Sequence, residues 1–273
     1  MLSKDSIQKI IDIKNRYIEV SKGVLDYEKF NQYAIVHHGS SIEGSSLTAN
    51  ETNLLLDEGL TPKNKLLTHS LMTVDYYNAL LLIMELAKQK TELTIADIQK
   101  ISALIMQKTG SEIHAVGGNF DSSKGEFRKT TVFAGNRTFA NYQKVPKLVS
   151  ELIEYISESL PEAKNFTDNS NLAFDVHFQM LSIHPFAYGN GRLSRLIMNY
   201  IQAYHDQPIT IVYQEDKAEY IDALENTRKH NNIEFFRKFM FNQSFKYFKT
   251  EIEKLTKQQH QIKSKDKGLS FLF

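Results

Sequence analysis

One short segment of the chain, residues 183–195, combines an imidazole, a glycine-containing turn and two guanidinium groups, in the sequence I-H-P-F-A-Y-G-N-G-R-L-S-R. His184 carries a ring that titrates near neutral pH, which makes it a candidate general base. The turn Gly189-Asn190-Gly191 lets the backbone approach an anion, and a helix beginning there offers N–H groups without intrahelical partners. Because Arg192 and Arg195 are three residues apart on that helix, both are expected to reach a polyphosphate.

Helical periodicity dominates the sequence around this segment and predicts the elements that hold it. Apolar residues at helical spacing predict a helix over about residues 3–29, and T-A-N-E at 48–51 is typical of a capping box opening a helix that ends at Gly59. Further helices are predicted near residues 64–89, 94–108, 145–159, 170–184, 191–205, 216–229 and 232–258, with a short extended link after Pro208. The chain is therefore expected to be mainly α.

Residues 125–142 have the pattern of a β-hairpin instead, with the sequence G-E-F-R-K-T-T-V-F-A-G-N-R-T-F-A-N-Y. Threonine and aromatic residues flank an Ala-Gly-Asn-Arg turn in this stretch. A lone hairpin is marginal in water, so it must pack on the helices or pair with another segment. Two interpretations stay open, a strand that docks a peptide and a purely structural element.

The composition excludes several classes of protein. The 33 lysines and arginines nearly balance the 32 aspartates and glutamates, so no overall charge favours nucleic acid or an anionic membrane. The chain has no cysteine, which excludes disulfides and thiolate metal sites. Since the chain shows neither a secretory leader nor a membrane-spanning apolar run, we expect a cytoplasmic protein, although an exported effector without a leader would look the same. The tail from Lys254 ends in L-S-F-L-F, which could pack on the body, form a homo-oligomer contact or remain free.

The segment at 183–195 resembles the signature of the Fic family, H-P-F-x-[D/E]-G-N-G-R-x-x-R. The likeness extends over about residues 35–245 of the chain. It implies a Fic-type helical bundle with one β-hairpin flap, built as a single domain over residues 1–273. In that domain, residues 1–60 would form N-terminal helices, 61–245 the core, and 246–273 the end of the last helix and the tail.

This resemblance implies a protein adenylyltransferase. His184 would take the proton from a Ser, Thr or Tyr hydroxyl of a target protein, and the oxygen would attack the α-phosphorus of ATP, leaving AMP on the target and releasing pyrophosphate. Phe186 is expected to anchor the loop by packing inward, and Asn190 to cap the next helix while orienting phosphate. The nucleotide-binding residues would be Gly189, Asn190, Gly191, Arg192 and Arg195, with Tyr220 and Asn226 either contacting adenine or lying on a helix surface.

Residues 37–48, H-H-G-S-S-I-E-G-S-S-L-T, resemble the inhibitory motif of the family, [S/T]-x-x-x-E-[G/N]. Glu43 fits the motif, whereas Gly39 stands where it has Ser or Thr, and the serines at 40 and 41 are adjacent substitutes. In the family this glutamate pairs with the second arginine of the signature and blocks the γ-phosphate, which here implies a pair of Glu43 and Arg195. Polyphosphate competes for the same fork geometry, which suits a latch. A salt bridge without regulatory meaning is the alternative.

The predicted hairpin matches the flap of the family, which aligns the target segment by backbone pairing. The run G-E-F-R-K-T-T-V-F at 125–133 is similar to the beginning of that element. The residues that dock the target would then be Arg128, Thr130, Thr131, Val132 and Phe133.

Tyr188 departs from the signature, because the family has Asp or Glu there to hold Mg²⁺ between the phosphates. A neutral phenol is a poor ligand for a hard dication and its ring is bulky, so no metal ligand is assigned and Mg²⁺ binding is left open. Three alternatives follow: a slower adenylyltransferase that holds the metal through other groups, a relative that transfers a different phosphate-containing group, and a catalytically silent nucleotide-binding protein. A helical interaction scaffold is a further class.

Overall fold

The structure is a computed structural model that describes residues 2–25, 27–134 and 137–269. Within these ranges the chain forms ten α-helices and two pairs of short strands. The helices are α1 (Lys4–Ser21), α2 (Tyr27–Ile42), α3 (Ala49–Glu58), α4 (Leu67–Lys88), α5 (Ile95–Ile105), α6 (Val145–Ser159), α7 (Phe166–Ile183), α8 (Asn190–Tyr204), α9 (Lys217–His230) and α10 (Glu234–Leu269). The strands are β1 (Glu112–Ile113), β2 (Phe120–Asp121), β3 (Phe133–Ala134) and β4 (Arg137–Thr138).

Helix α8 lies at the centre of the fold. It packs against α7, α4, α5 and α2, and residues 192–202 of α8 are all buried. The buried apolar side chains of these helices, together with those of α6, α9 and α10, form one continuous core. Because the segment 183–190 joins α7 to α8, burial of both helices fixes the position of that segment.

The long helix α10 supports this core from outside by packing against α1, α7 and α9. Tyr17 of α1 stacks on Phe248 of α10, with ring centroids 5.1 Å apart. The hydroxyl of Tyr17 also lies 3.3 Å from that of Tyr247, within a buried hydrogen bond. The N-terminal helix is therefore tied to the helices that carry the segment 183–195.

The predicted capping box at the start of α3 is confirmed. Thr48 Oγ1 accepts a hydrogen bond from the Glu51 N–H at 3.2 Å, and Glu51 Oε2 accepts one from the Thr48 N–H at 2.8 Å. Gly59 ends the helix with φ of +71°, in the left-handed region that glycine adopts without strain. The sequence was sufficient to predict both ends of α3, because each capping interaction joins residues that are close together in the chain.

The prediction of one helix over residues 3–29 was wrong. Helix α1 ends at Ser21, and Gly23 follows with φ of +76°, which breaks the helical path. The chain then forms α2, a helix that the sequence analysis did not predict. Helix α2 has buried residues around much of its circumference, including Tyr33, Val36 and Gly39, so it lacks the one-sided apolar pattern that predicts a surface helix.

The hairpin predicted at residues 125–142 is present as the antiparallel pair β3–β4, with Phe133 opposite Thr138 and Ala134 opposite Arg137. Its turn residues Gly135 and Asn136 lie outside the described residues, as do residues 270–273 of the apolar tail. The second pair, β1–β2, was not predicted because each strand has only two residues. We call residues 125–142 the flap.

The predicted fold class, a mainly α bundle with a small β element, is confirmed. Among the described helices, none combines the length and the apolar character required to cross a bilayer. The division of the chain into residues 1–60, 61–245 and 246–273 stays a prediction.

Two adjacent leucines of α4 test the packing of the core. Leu80 is 0% exposed, whereas Leu81 is 42% exposed on the same helix. We expect Leu80→Ala to lower the free energy of unfolding by about 2–5 kcal/mol, because it leaves a cavity in the core. The matched control Leu81→Ala should cost less than about 1 kcal/mol. Equal losses for the two variants in urea denaturation would contradict this packing.

Candidate active site

The loop between α7 and α8 is closed by its own side chains. Helix α7 ends at His184, which adopts the left-handed region with φ of +53° and whose N–H donates to Met180 O at 3.0 Å. Asn190 Oδ1 accepts from the Phe186 N–H at 3.0 Å, while Asn190 Nδ2 donates to Phe186 O at 2.9 Å. Phe186 itself is buried against Phe127, with ring centroids 5.3 Å apart. The predicted anchoring role of Phe186 is thus confirmed, whereas Asn190 braces the loop and does not cap α8.

The two glycines of the loop are required for different reasons. Gly189 is the N-cap of α8 with φ of +78°, and a Cβ there would lie 2.9 Å from Ile105 Cγ2. Gly191 lies in the first turn of α8, where a Cβ would overlap Glu43 Oε1. A carboxylate oxygen therefore lies against the backbone at the N-terminal end of α8, where the free N–H groups and the helix dipole favour an anion.

Glu43 and Arg195 form the ion pair that the sequence predicted. Arg195 Nη2 donates to Glu43 Oε1 at 2.7 Å and to Gly39 O at 3.0 Å. Arg195 is 4% exposed, whereas the Glu43 side chain is 29% exposed. The guanidinium is thus buried between α8 and the end of α2, and the carboxylate that neutralises it is open to solvent on one side.

Burial alone would raise the pKa of Glu43, but the charge and the hydrogen bond of Arg195 outweigh it and hold that pKa below its usual range. Burial would likewise lower the pKa of Arg195, and the charge of Glu43 reverses the shift. Both side chains are therefore ionised at neutral pH. The contact is an ion pair that an anion of higher charge could replace.

Gly39 departs from the inhibitory motif for a steric reason. A Cβ at Gly39 would overlap the ring of Tyr76, which is fully buried on α4. In the part of the chain that the structure describes, the hydroxyls of Ser40 and Ser41 are buried without a hydrogen-bond partner. The adjacent serines therefore do not replace the missing motif hydroxyl in binding Arg195.

His184 lies in a cationic and aromatic environment. Its ring stacks on Phe139 of the flap, with centroids 4.1 Å apart and planes 28° apart. Burial lowers the pKa of His184 to about 4, helped by the charges of Arg128 and Arg137 and opposed by the backbone of Leu181 and the charge of Glu43. The imidazole is therefore neutral at pH 7, the form that accepts a proton.

Arg128 has a different role from the target-docking one that the sequence predicted. Its side chain is 1% exposed, and its Nε donates to His184 O at 2.8 Å. The other nitrogens donate to Thr130 O at 2.8 Å and to Ala140 O at 2.6 Å, and the Arg128 N–H donates to Pro185 O at 3.1 Å. Arg128 thus fastens the flap to the loop of His184 and is not available to a partner.

The remaining predicted flap residues lie on a more open surface. Thr131 and Phe133 are exposed, Phe133 by 68%, and Thr130 and Val132 are partly buried. Val132 O accepts a hydrogen bond from the Phe139 N–H at 3.2 Å, which extends the pairing of the hairpin beyond β3 and β4. Thr131 and Phe133 are therefore accessible to a partner.

Arg192 was predicted to bind the anion, but its guanidinium binds the end of α5 instead. Its Nη1 donates to Ile105 O at 3.0 Å, and its Nη2 lies 3.2 Å from Met106 Sδ. Carbonyls at a helix C-terminus lack intrahelical partners, and the helix dipole is negative there, which explains why a cation binds the end of α5. Arg192 thus ties α8 to α5 in this structure, and Arg195 alone has its guanidinium at the anion position.

Tyr220 and Asn226 lie on α9 in different environments. The Tyr220 hydroxyl is buried and lies 2.7 Å from His177 Nε2. Its charge environment includes Arg195, which opposes the rise that burial causes in the Tyr220 pKa, to about 12. Asn226 is exposed on the helix surface. Tyr220 therefore supports the buried side of Arg195, and the structure does not bring Asn226 into contact with the loop.

Tyr188, at the position that departs from the signature, is 57% exposed. Among the described residues, no three His, Asp or Glu side chains form a ready metal site.

Sequence reasoning did not identify Phe139, Tyr76 or Arg137 as residues of the site. Phe139 and Arg137 lie two residues apart in the predicted hairpin, a spacing that places them on one face of a strand. If the hairpin is assumed to cover His184, that spacing predicts that Phe139 and Arg137 both face the site. Tyr76 had no such signal, because it packs on Gly39 from a helix distant in sequence.

Residues 92–202 of the chain match the Fic/DOC family. Protein adenylyltransferase fic-1 of Caenorhabditis briggsae is 23% identical over 228 residues, which cover 82% of this chain and 42% of that protein. Protein adenylyltransferase Fic of Nematostella vectensis is 24% identical over 249 residues, which cover 88% and 54%. The chain thus spans about half the length of the curated relatives it matches.

The fold matches a solved Fic structure over nearly the whole chain. A Fic domain containing signaling protein from Bacteroides thetaiotaomicron has a TM-score of 0.77 at 20% identity, covering 92% of this chain and 97% of that one. The chain therefore has the Fic fold, and its residues 92–202 match the Fic/DOC family.

The low pKa of His184 can be measured directly. We expect the imidazole to stay neutral down to pH 5.5 and to titrate near pH 4, because burial and two nearby cations disfavour the charged ring. An NMR titration of the ring nuclei, assigned with His184→Gln, would show this. A midpoint near 6.5, the value of a free histidine, would contradict the described environment.

Proposed function

We propose that this protein transfers AMP from ATP to a hydroxyl side chain of a target protein in the cytoplasm, and that Glu43 restrains the reaction. One observation carries the proposal: the Glu43 carboxylate lies at the N-terminal end of α8 and is bonded to Arg195. That position combines a helix N-terminus with a buried guanidinium, which is the chemistry that binds phosphate. The names of the relatives, protein adenylyltransferases, support the same reaction class.

ATP would occupy the position that Glu43 holds. A polyphosphate carries more charge than a carboxylate and can accept the hydrogen bond that Arg195 Nη2 donates to Glu43, so it can displace Glu43 from Arg195. Gly191 leaves room for a phosphate oxygen as it does for the carboxylate oxygen. Glu43 is partly exposed, so it can leave without opening the core.

His184 would act as the general base. At neutral pH its ring is uncharged, because burial holds its pKa near 4. It takes the proton of the target hydroxyl while the oxygen forms a bond to the α-phosphorus, and the bond between the α-phosphorus and the leaving pyrophosphate breaks. Arg128 holds the His184 carbonyl, and Phe139 stacks on the ring, so the imidazole is oriented before the target arrives.

The flap would align the target. Its residues Thr131 and Phe133 are exposed, and Phe133 lies in β3, a strand that could pair with a strand of another protein. The side chain of Arg128 keeps the flap at a fixed distance from the loop. The target would therefore be a protein segment in extended conformation that carries Ser, Thr or Tyr.

A second function remains a candidate because of Tyr188. With no carboxylate in that position, Mg²⁺ must be held by the phosphates, water and another residue, or it does not take part. A protein that transfers a different phosphate-containing group, or that binds nucleotide without catalysis, would fit the same loop. The names of the relatives favour the adenylyltransferase over this second candidate.

The proposal is tested by incubating the protein with ATP and Mg²⁺ and measuring intact mass for attached AMP. We expect Glu43→Gly and Glu43→Gln to raise self-modification by roughly 5–150-fold, the range of typical couplings between sites. Adding His184→Ala should lower it by about 10²–10⁴-fold, because the general base is lost. Glu158→Gln, on the exposed surface of α6, is the matched control. No AMP on any variant, including Glu43→Gly, would exclude the proposed activity.

The role of position 188 is tested in the Glu43→Gly background. We expect nucleotide binding by the protein with Tyr188 to depend weakly on Mg²⁺, and Tyr188→Asp to increase both Mg²⁺ dependence and AMP transfer by about tenfold, because the carboxylate supplies a hard ligand. Tyr188→Asn, similar in shape but neutral, is the control. Calorimetric titration of ATP with and without Mg²⁺ measures the binding. Strong Mg²⁺ dependence before the substitution would show that another residue holds the metal.

A further inference from the structure

Two arginines near the C-terminal end of α7 form no ion pair with a carboxylate of the described residues. Arg137 of β4 donates from Nη2 to Ser182 O at 3.3 Å, and the guanidinium of Arg228 on α9 lies 5.4 Å from the ring centroid of Phe178. Ser182 and Phe178 are one turn apart on α7, so both guanidiniums lie along the last two turns of the same helix. Neither forms an ion pair with a carboxylate of the described residues. We call Arg137 and Arg228 the arginine pair.

The two charges of the arginine pair affect each other. Burial and the charge of Arg137 lower the pKa of Arg228 to about 10, and Glu225 opposes this shift without forming an ion pair. The Arg228 Nε is buried without a hydrogen-bond partner in the described structure. A partly buried cation without a partner is stabilised when an anion binds it.

The C-terminal dipole of α7 offers a structural explanation for part of this arrangement. Helix carbonyls at residues 180–183 are negative and attract Arg137, which bonds to one of them. That explanation does not cover Arg228, which bonds to no carbonyl and lies over an aromatic ring. The bond from Arg137 to Ser182 O uses Nη2, so the other guanidinium nitrogens of Arg137 can donate to another acceptor.

The position of Arg137 relative to His184 is fixed by the flap. Arg137 and Phe139 are two residues apart on one strand, so they lie on the same face. The Arg137 guanidinium is 4.3 Å from the centroid of Phe139, and Phe139 stacks on His184 at 4.1 Å. The Cα atoms of Arg137 and Phe139 are about 7 Å apart along the strand, and an anion bound by Arg137 would lie on the side of the flap that faces the imidazole.

We propose that the arginine pair binds the carboxylate of an acidic target residue two positions away from the hydroxyl that is modified. The proposal rests on the function proposed above. A target segment that pairs with the flap in extended conformation has alternate side chains on one face. The residue beside Phe139 meets His184, and the residue two positions away then meets Arg137. A phosphate of ATP is the other source of an anion, but Glu43 marks its proposed position at the start of α8 beside Arg195.

The experiment uses the full chain with Glu43→Gly, ATP labelled at the α-phosphate, and short synthetic peptides. Each peptide contains one Thr or one Tyr as its only hydroxyl, with Glu or Gln placed one, two or three residues away on either side. We expect Glu two residues away to raise labelling about tenfold over Gln, and Glu one residue away to have no effect, because it faces the other side of the strand. Self-modification by intact mass is measured in the same samples.

Variants of the arginine pair identify the origin of the preference. Arg137→Gln should reduce the Glu-to-Gln ratio to about one, Arg228→Gln should reduce it in part, and Arg137→Glu should lower it below one. Lys147→Gln, an exposed cation on α6, is the control that leaves the ratio unchanged. Affinity for ATP should change less than about twofold in Arg137→Gln.

Several results would overturn the inference. A ratio unchanged in Arg137→Gln, or equal losses with Glu and Gln peptides, would show that the arginines only stabilise the end of α7. Weaker ATP binding in Arg137→Gln with an unchanged ratio would assign the pair to the nucleotide. If the protein modifies itself but shows no preference between the peptides, the inference is excluded and the proposed function stands. If neither peptides nor the protein itself are labelled, the proposed function fails and the inference falls with it.

Discussion

The ion pair of Glu43 and Arg195 is the interaction on which the site depends. A guanidinium that is 4% exposed must be neutralised, because an unpaired buried charge costs several kcal/mol. Glu43 neutralises it from the end of α2, and Gly39 O accepts a second hydrogen bond from the same nitrogen. Removal of Glu43 leaves the buried charge of Arg195 without a partner. Because the N-terminal end of α8 also favours negative charge, another anion can bind there. The proposed restraint and the proposed nucleotide binding thus both depend on the charge of Arg195.

Small residues make this contact possible. Gly191 lets the carboxylate reach the backbone of α8, and Gly39 lets α2 approach the ring of Tyr76 on α4. Gly189 adopts a positive φ and packs against Ile105, which sets the start of α8. Helices α2, α4, α5 and α8 therefore meet closely around the anion position, and a side chain at any of these glycines would clash with a neighbouring group.

The sequence predicted what is encoded locally and missed what is decided by packing. The capping box of α3, the turn before α8 and the pair of Glu43 with Arg195 follow from short motifs, and all are present. Helix α2 was missed because it is buried on more than one side and has no one-sided apolar pattern. Arg128 and Arg192 were taken for binding residues because a sequence does not show that carbonyls of the loop and of α5 would take their hydrogen bonds.

The central claim is that Glu43 and ATP compete for Arg195. Calorimetric titration with ATP compares three proteins: the unaltered chain, Glu43→Gly, and Glu43→Gly with Arg195→Ala. The competition predicts that Glu43→Gly binds ATP at least about fivefold more tightly than the unaltered chain, and that the added Arg195→Ala removes the gain. Equal Kd values for the unaltered chain and Glu43→Gly, or a gain that persists without Arg195, would contradict it.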